Sequence, residues 1–239
     1  MRNCSSIIIF LLLTSVGQLS AQFTESGFVM GSDTIFYLLN VPEGFSDSEE
    51  KWPLVLFLHG GGEGGHDLEK VKKNGLPKHI AEGQKFPFIT LAPQNRFTRG
   101  FWDNVALSQL LDHFLLSPRI DQDRVYLTGL SRGGFAAWML AMHEPQRFAA
   151  LAPVCGAVPR SYDIWIPENL PIWAFHGTDD DLIHPSESVD MIENLRRKKM
   201  NPMPKLTLYE GVGHNAWEKA YADPELYKWL LAQRRQKPE

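Results

Sequence analysis

Ser131, which has a glycine two residues before it and another two residues after it, is the residue best suited to nucleophilic chemistry. It lies in the run Gly129-Leu130-Ser131-Arg132-Gly133, between the apolar segment 124–128 and the segment 135–143, which is predicted to be helical. A serine on a sharp strand-to-helix turn needs small neighbours at these positions because the backbone is crowded there. A phosphate-binding loop fits less well, since no lysine follows at the required spacing. The pattern predicts a nucleophilic serine.

A second glycine-rich segment, residues 59–65 (HGGGEGG), follows the apolar run 53–58. Glycines let a backbone N–H approach a ligand closely, and in hydrolases with this kind of serine turn such a loop supplies half of an oxyanion hole. A flexible connector would have a similar composition, but the position directly after an early strand favours the functional interpretation. We predict oxyanion donors at the backbone N–H groups of Gly61 and Arg132.

Acidic and imidazole side chains follow two later apolar runs. Asp179, Asp180 and Asp181 come after the run 171–175, and His214 lies in a glycine-flanked loop after the run 205–209. A calcium loop would need further oxygen ligands at set spacings, and the sequence lacks them, so we predict no metal and no cofactor. The chain order of serine, acid and histidine is that of a catalytic triad in which one carboxylate orients the histidine. Spacing alone leaves all three aspartates as candidates.

These side chains together predict two-step acyl transfer. A serine hydroxyl becomes a nucleophile when a neutral imidazole takes its proton, and the imidazole later returns that proton to the leaving group. A carboxylate stabilises the imidazolium that forms in between. The predicted roles are Ser131 as the nucleophile, His214 as the base and then the acid, and Asp180 as the residue that orients His214.

The elements that must position these residues alternate along the chain. Short apolar runs typical of buried parallel strands alternate with segments of helical periodicity, such as the stripe at Leu107, Leu110, Leu111 and Phe114. Asp223-Pro224 reads as the N-cap and first position of a C-terminal helix. We therefore predict an α/β fold: a mostly parallel sheet with helices on both faces and only a minimal cap. The predicted strands are 34–41, 53–59, 86–92, 124–128, 148–154, 171–175 and 205–209.

The first 21 residues have the layout of a secretory signal. Arg2 precedes the apolar run 7–13, and small residues end at Ala21, after which we predict cleavage. A membrane-spanning helix needs about 20 apolar residues, so we predict no stable membrane insertion once the signal is removed. The expected organisation is a signal peptide at 1–21 and one hydrolase domain at 22–239. The expected location is secreted or periplasmic.

Composition excludes several classes of protein. The 239 residues are 44% hydrophobic and 22% charged, which is typical of a globular domain and argues against disorder. The net charge is −4, so the chain lacks the basic excess of a nucleic-acid-binding domain, and we predict no nucleic-acid partner. Only Cys155 remains after removal of the signal, so we predict a buried thiol and no internal disulfide.

The motifs together resemble the α/β-hydrolase superfamily, and within it a secreted group of carboxylesterases, phospholipase-like proteins and predicted peptidases. The similar stretches are LFLHGGGEGG, LAPQN, FWDN, IDQDRVYLTGLSRGGFAAW, FHGTDDDLIHPSES and YEGVGHNAW, which cover most of residues 52–219. The group's acid motif HG-x-x-D-x-x-V-P implies Asp180 as the acid and aligns Ile183 with the valine. His184 departs from the usual proline, and Arg132 stands where methionine or glutamine is frequent.

The substrate is less well defined than the chemistry. Trp102, Trp165 and Trp217 lie in loops or just after motifs and are candidates for a pocket that holds an acyl or aryl group. The resemblance implies an esterase acting on small-molecule or polysaccharide-linked esters, such as acyl or feruloyl groups. The alternatives are a serine peptidase of the same fold and a non-catalytic ligand-binding homologue. The sequence does not define the oligomeric state.

Overall fold

One mixed sheet organises the computed structural model, which describes residues 23–47 and 49–236. Within these residues eight strands run in the order β1-β2-β4-β3-β5-β6-β7-β8. Strands β3 to β8 are parallel, whereas β1 and β2 are antiparallel to their neighbours. The strands are β1 (Thr24–Met30), β2 (Asp33–Asn40), β3 (Trp52–Leu58), β4 (Ile89–Pro93), β5 (Ile120–Leu130), β6 (Ala150–Val154), β7 (Trp173–Gly177) and β8 (Lys205–Tyr209).

Helices cover both faces of the sheet because the buried strands are apolar on both sides. In β3, Leu54, Leu56 and Leu58 face one core and Val55 and Phe57 face the other, which is the two-residue period of a strand. Helices α2 (Asn104–Leu115), α3 (Arg132–His143) and α4 (Ser186–Arg197) pack on the first face. Helices α1 (Gly75–Ala81), α5 (Trp217–Ala222) and α6 (Pro224–Leu231) pack on the second. The predicted α/β fold is confirmed.

The candidate residues lie at the carboxyl ends of the parallel strands, on the same side of the sheet. Residues 59–65 follow β3, Ser131 follows β5, the three aspartates follow β7, and His214 follows β8. Because the carboxyl ends of parallel strands all point the same way, residues distant in sequence meet there. Between β6 and β7 the chain forms only a short 3-10 helix, Arg160–Trp165, in agreement with the predicted minimal cap.

The structure differs from the sequence prediction mainly at element boundaries. The predicted strand at 124–128 is the second half of β5, and the helix predicted at 135–143 begins at Arg132. Strand β1 was not predicted, because it lies at the edge of the sheet and is largely exposed, so it lacks an apolar pattern. Asp223 caps α6 as expected, accepting from the N–H of Glu225, with Pro224 as the first helical residue.

The predicted signal peptide at 1–21 lies outside the described residues. No helix in the described part of the chain combines the length and hydropathy that crossing a membrane requires.

Candidate active site

Ser131 lies on a strained turn between β5 and α3. Its φ of 53° and ψ of −118° are rare for a residue with a side chain, and its N–H donates to the carbonyl of Val154 at 2.8 Å. A Cβ on Gly129 would collide with the backbone of Gly133, and a Cβ on Gly133 would collide with the carbonyl of Leu58. Both flanking glycines are therefore required by close packing, as the sequence predicted.

A continuous hydrogen-bond chain joins Ser131, His214 and Asp180. Nε2 of His214 lies 2.8 Å from Oγ of Ser131, and Nδ1 of His214 lies 2.7 Å from Oδ2 of Asp180. Because a carboxylate only accepts, Nδ1 carries the proton, and Nε2 is then free to accept from the serine hydroxyl. The geometry is that of a serine, its base and an orienting acid.

The structure distinguishes among the three candidate aspartates. Asp180 is 2% exposed, and its Oδ1 accepts from the N–H groups of Leu182 and Ile183 at 3.0 and 2.9 Å. Asp179 and Asp181 are exposed. Burial acts to raise the pKa of Asp180, but the N–H of Ile183 and the hydrogen bond from His214 outweigh it, so the pKa lies below its usual value. Asp180 is therefore held as a carboxylate facing His214.

Gly61 and Arg132, the predicted oxyanion donors, are neighbours in the structure. Arg132 is the first residue of α3, so its N–H has no acceptor inside the helix. Its guanidinium packs against Gly61, since a Cβ on Gly61 would lie 2.8 Å from Nη2 of Arg132. Nη1 of the same side chain donates to the carbonyls of Thr98 and Gly100 at 2.9 and 3.2 Å. The arginine side chain thus links the glycine-rich loop to the loop that follows β4.

His59 fixes the start of the glycine-rich loop. Its Nε2 accepts from the N–H of Asn95 at 2.9 Å, so Nδ1 carries the proton and donates to the carbonyl of Gly60 at 2.7 Å. The side chain of the buried Glu63 accepts from the Asn74 amide, which ties the middle of the loop to the start of α1. The loop therefore has a defined conformation despite its glycine content.

The buried imidazole of His59 makes the stability of the fold depend on pH. Burial lowers the pKa of His59 from 6.5 to about 4, and the nearby charge of Arg132 adds to this effect. The stabilisation is complete above pH 6.5 and is lost as the pH falls towards 4, because the unfolded chain binds the proton first. We expect this residue to account for a loss of about 3 kcal/mol in the free energy of unfolding across that range, as measured by urea titration. A His59→Asn variant whose stability falls equally steeply would contradict this expectation.

Two of the three candidate tryptophans lie beside these residues. The indole of Trp217 packs edge-on against His214, with ring centroids 5.3 Å apart, and its Nε1 donates to Asn74 at 3.2 Å. Trp102 packs on His59 with a centroid distance of 4.7 Å, and its Nε1 donates to the carbonyl of His59 at 3.3 Å. Both are part of the framework around the site.

Trp165 lies apart from the site. It is 52% exposed and packs on Tyr162, within a 3-10 helix whose Asp163 pairs with Lys198 just after the C-terminus of α4. That is the end of α4 away from Asp180, which precedes the helix. Trp165 is therefore left out of the proposed site.

Two further buried side chains touch this cluster. Cys155, after β6, has a φ of 49°, and its Sγ lies within 4.8 Å of the ligand atoms of Asp180 and His214. Burial raises the pKa of its thiol to about 12, in keeping with the predicted buried, unreactive cysteine. His176, in β7, also contacts Asp180. The sequence contains His176 in the run HGTDDD, but no role for it was predicted.

The fold and the arrangement of these side chains define an α/β-hydrolase. The chain belongs to the dienelactone hydrolase family, whose model matches residues 83–225, a range that includes Ser131, Asp180 and His214. The predicted resemblance to the superfamily is confirmed.

Similar proteins and structures include several esterases. A thermostable esterase of known crystal structure is 28% identical, with a TM-score of 0.76, over 90% of this chain and 64% of that one. The bifunctional acetylxylan esterase/xylanase of Neocallimastix patriciarum is 27% identical over 60% of this chain and 22% of its own length. The probable feruloyl esterase C of Aspergillus terreus is 26% identical over 76% of this chain and 69% of its own.

The matched region covers between 22% and 50% of the full length of three of the curated relatives.

Proposed function

We propose that this protein hydrolyses carboxylic esters through an acyl-enzyme on Ser131. The observation that supports this most directly is the unbroken hydrogen-bond chain from Ser131 through His214 to the buried carboxylate of Asp180. The serine lies on a strained turn at the start of a helix, where an oxyanion would also meet the positive end of the helix dipole.

In the proposed mechanism, Oγ of Ser131 attacks the ester carbonyl while Nε2 of His214 takes the hydroxyl proton. The resulting oxyanion accepts hydrogen bonds from the backbone N–H groups of Gly61 and Arg132. As the carbonyl re-forms, the C–O bond to the alcohol breaks, and the imidazolium gives its proton to the departing oxygen. Water, deprotonated by His214, then attacks the acyl-enzyme; as the bond from the acyl carbon to Oγ breaks, the imidazolium returns the proton to Oγ and the acid is released. Asp180 stabilises the imidazolium in both half-reactions.

We propose small-molecule or polysaccharide-linked esters, including acyl and feruloyl esters, as the substrates. The names of the acetylxylan esterase and the probable feruloyl esterase among the relatives support this range. An aromatic pair one helical turn after Ser131 supports esters of aromatic acids within this range. Phe101 is 70% exposed and packs on Phe135, in the first turn of α3, with ring centroids 5.3 Å apart. Such a pair offers a face on which a planar acyl group can stack.

A substrate panel tests this proposal. We expect the purified protein to release p-nitrophenol from short acyl esters and to hydrolyse methyl ferulate or acetylated xylan, with peptide amides cleaved far more slowly. The measurement is kcat/KM for each compound, with Ser131→Ala as the blank. Turnover of amides alone would contradict the esterase assignment. Binding of these esters without turnover would instead indicate a non-catalytic protein.

We also propose that residues 1–21 are removed during export and that residues 22–239 form the mature hydrolase. The arrangement of Arg2, the apolar run 7–13 and Ala21 supports this. We expect the protein recovered outside the cytoplasm to begin at Gln22, as measured by intact mass and N-terminal peptide mapping. Deletion of residues 2–21 should leave the product in the cytoplasm. A mature protein that still carries residues 1–21 would contradict the proposal.

A further inference from the structure

The catalytic carboxylate has a second histidine partner that the proposed mechanism does not use. Oδ2 of Asp180, which accepts from His214, also lies 3.1 Å from Nε2 of His176. The same Nε2 lies 2.8 Å from the carbonyl oxygen of Ile183, in the turn that follows the acid. Two imidazoles therefore share one carboxylate oxygen.

The contacts of His176 define its protonation. Both groups near Nε2 are acceptors, so Nε2 carries a proton and donates to them. On the other side of the ring, Nδ1 lies 2.7 Å from Oγ of Ser188 in α4. A neutral ring then accepts the hydroxyl proton of Ser188 at Nδ1. Each polar atom of the ring thus has a partner in this tautomer.

The surroundings favour the neutral ring. His176 is fully buried, and burial lowers its pKa, with the charge of His214 acting in the same direction and the contacts to Ile183 and Asp180 opposing it. Cys155, just after β6, and His214, in the loop after β8, are ionisable groups that also face this cluster. The neighbouring Asp179 and Asp181 point to solvent. His176 is accordingly an uncharged donor.

We propose that His176 is a positioning residue for the acid of the triad, holding Oδ2 of Asp180 towards His214 while drawing off part of its negative charge. The inference rests on the proposed function. A charged donor at this place would neutralise the carboxylate that the imidazolium needs, whereas a neutral donor fixes the direction of the carboxylate and weakens its interaction with the imidazolium only in part. Without His176, Asp180 is freer to rotate, and its oxygen interacts more strongly with the protonated form of His214.

The test compares His176→Leu with His176→Gln in the full-length protein. The glutamine amide can donate to Asp180 and accept from Ser188, whereas leucine does neither. For His176→Leu we expect kcat to fall about tenfold with little change in KM. When kcat/KM is plotted against pH, the apparent pKa that describes its fall at low pH should rise by about half a unit or more. For His176→Gln we expect kcat within about threefold of the wild type, and an apparent pKa at low pH close to that of the wild type.

Ser188→Ala provides a second route, because it leaves the donor to Asp180 in place but removes the hydroxyl that orients the ring. We expect a smaller fall in kcat at constant KM, restored by Ser188→Thr. The proposal is overturned if folded His176→Leu keeps the wild-type kcat and the wild-type dependence of kcat/KM on pH. It is also overturned if kcat falls as far in His176→Gln as it does in His176→Leu. If His176→Leu does not fold, wild-type activity of Ser188→Ala overturns it. Failure of the proposed function is seen separately, as an inactive wild type that no fluorophosphonate labels.

Discussion

Ser131→Ala is expected to lower kcat for ester hydrolysis by about 10⁴- to 10⁶-fold and to abolish labelling by a fluorophosphonate probe. The large effect has two causes. The alanine removes the only atom that forms the acyl-enzyme, and it leaves His214 without a proton to accept. Substrate binding should change little, because the predicted oxyanion donors of Gly61 and Arg132 belong to the backbone and remain in place. The measurement is kcat and KM on a p-nitrophenyl ester, with probe labelling followed by mass spectrometry.

The matched control is Ser117→Ala. Ser117 lies just before β5, at the opposite end of that strand from Ser131, so its loss should leave activity and labelling unchanged. The labelled peptide of the wild type should contain Ser131. A wild-type protein that remains unlabelled, or Ser131→Ala that retains esterase activity, would refute the nucleophile assignment.

The second large effect is expected for Asp180→Asn, with a fall in kcat of about 10³- to 10⁴-fold. The asparagine amide can donate to His214 and so favours the tautomer in which Nδ1 lacks a proton. Nε2 is then protonated and cannot accept from Ser131. The carboxylate charge that stabilises the imidazolium is lost as well. Asp180→Asn should still fold, because its Oδ1 can continue to accept from Leu182 and Ile183.

Asp179→Asn and Asp181→Asn are the paired controls, since each removes one carboxylate from the same exposed turn. Both are expected to remain within about threefold of the wild type, because both carboxylates are exposed to solvent. Their kcat values, measured with the same ester, identify the acid independently of Asp180→Asn. If kcat falls strongly in either control while Asp180→Asn remains active, that other aspartate would be the acid that orients His214.

Much of the site follows from local sequence rules. Ser131 and His214 could be proposed from the sequence because Ser131 directly follows one apolar strand, His214 lies in the loop after another, and glycines lie near both residues. The parallel sheet then brings their strand ends to one edge. Asp180 needed the family resemblance, since three adjacent aspartates share the same local pattern, and only burial and the N–H groups of Leu182 and Ile183 separate them.

The features missed by sequence analysis depend on contacts between distant segments. His176 matters because Ser188 in α4 and the turn after β7 define its tautomer, and neither relation has a signature in spacing. The link from the Arg132 guanidinium to the carbonyls of Thr98 and Gly100 likewise depends on how two loops fold together. Trp165 is a reasonable pocket candidate by residue type, but it lies in a 3-10 helix that pairs with the C-terminal end of α4 through Asp163 and Lys198.

The order of the strands has a consequence for when activity can appear during folding. Ser131 and His214 are separated by 83 residues, and His214 follows β8, the last strand and one edge of the sheet. A chain that has folded only as far as β7 holds the proposed nucleophile without its proposed base. Contacts of such sequence separation form late, because closing the intervening loop has an entropic cost. The appearance of esterase activity during folding would therefore indicate that β8 has joined the sheet. A partly folded chain would not hydrolyse esters until its last quarter has folded.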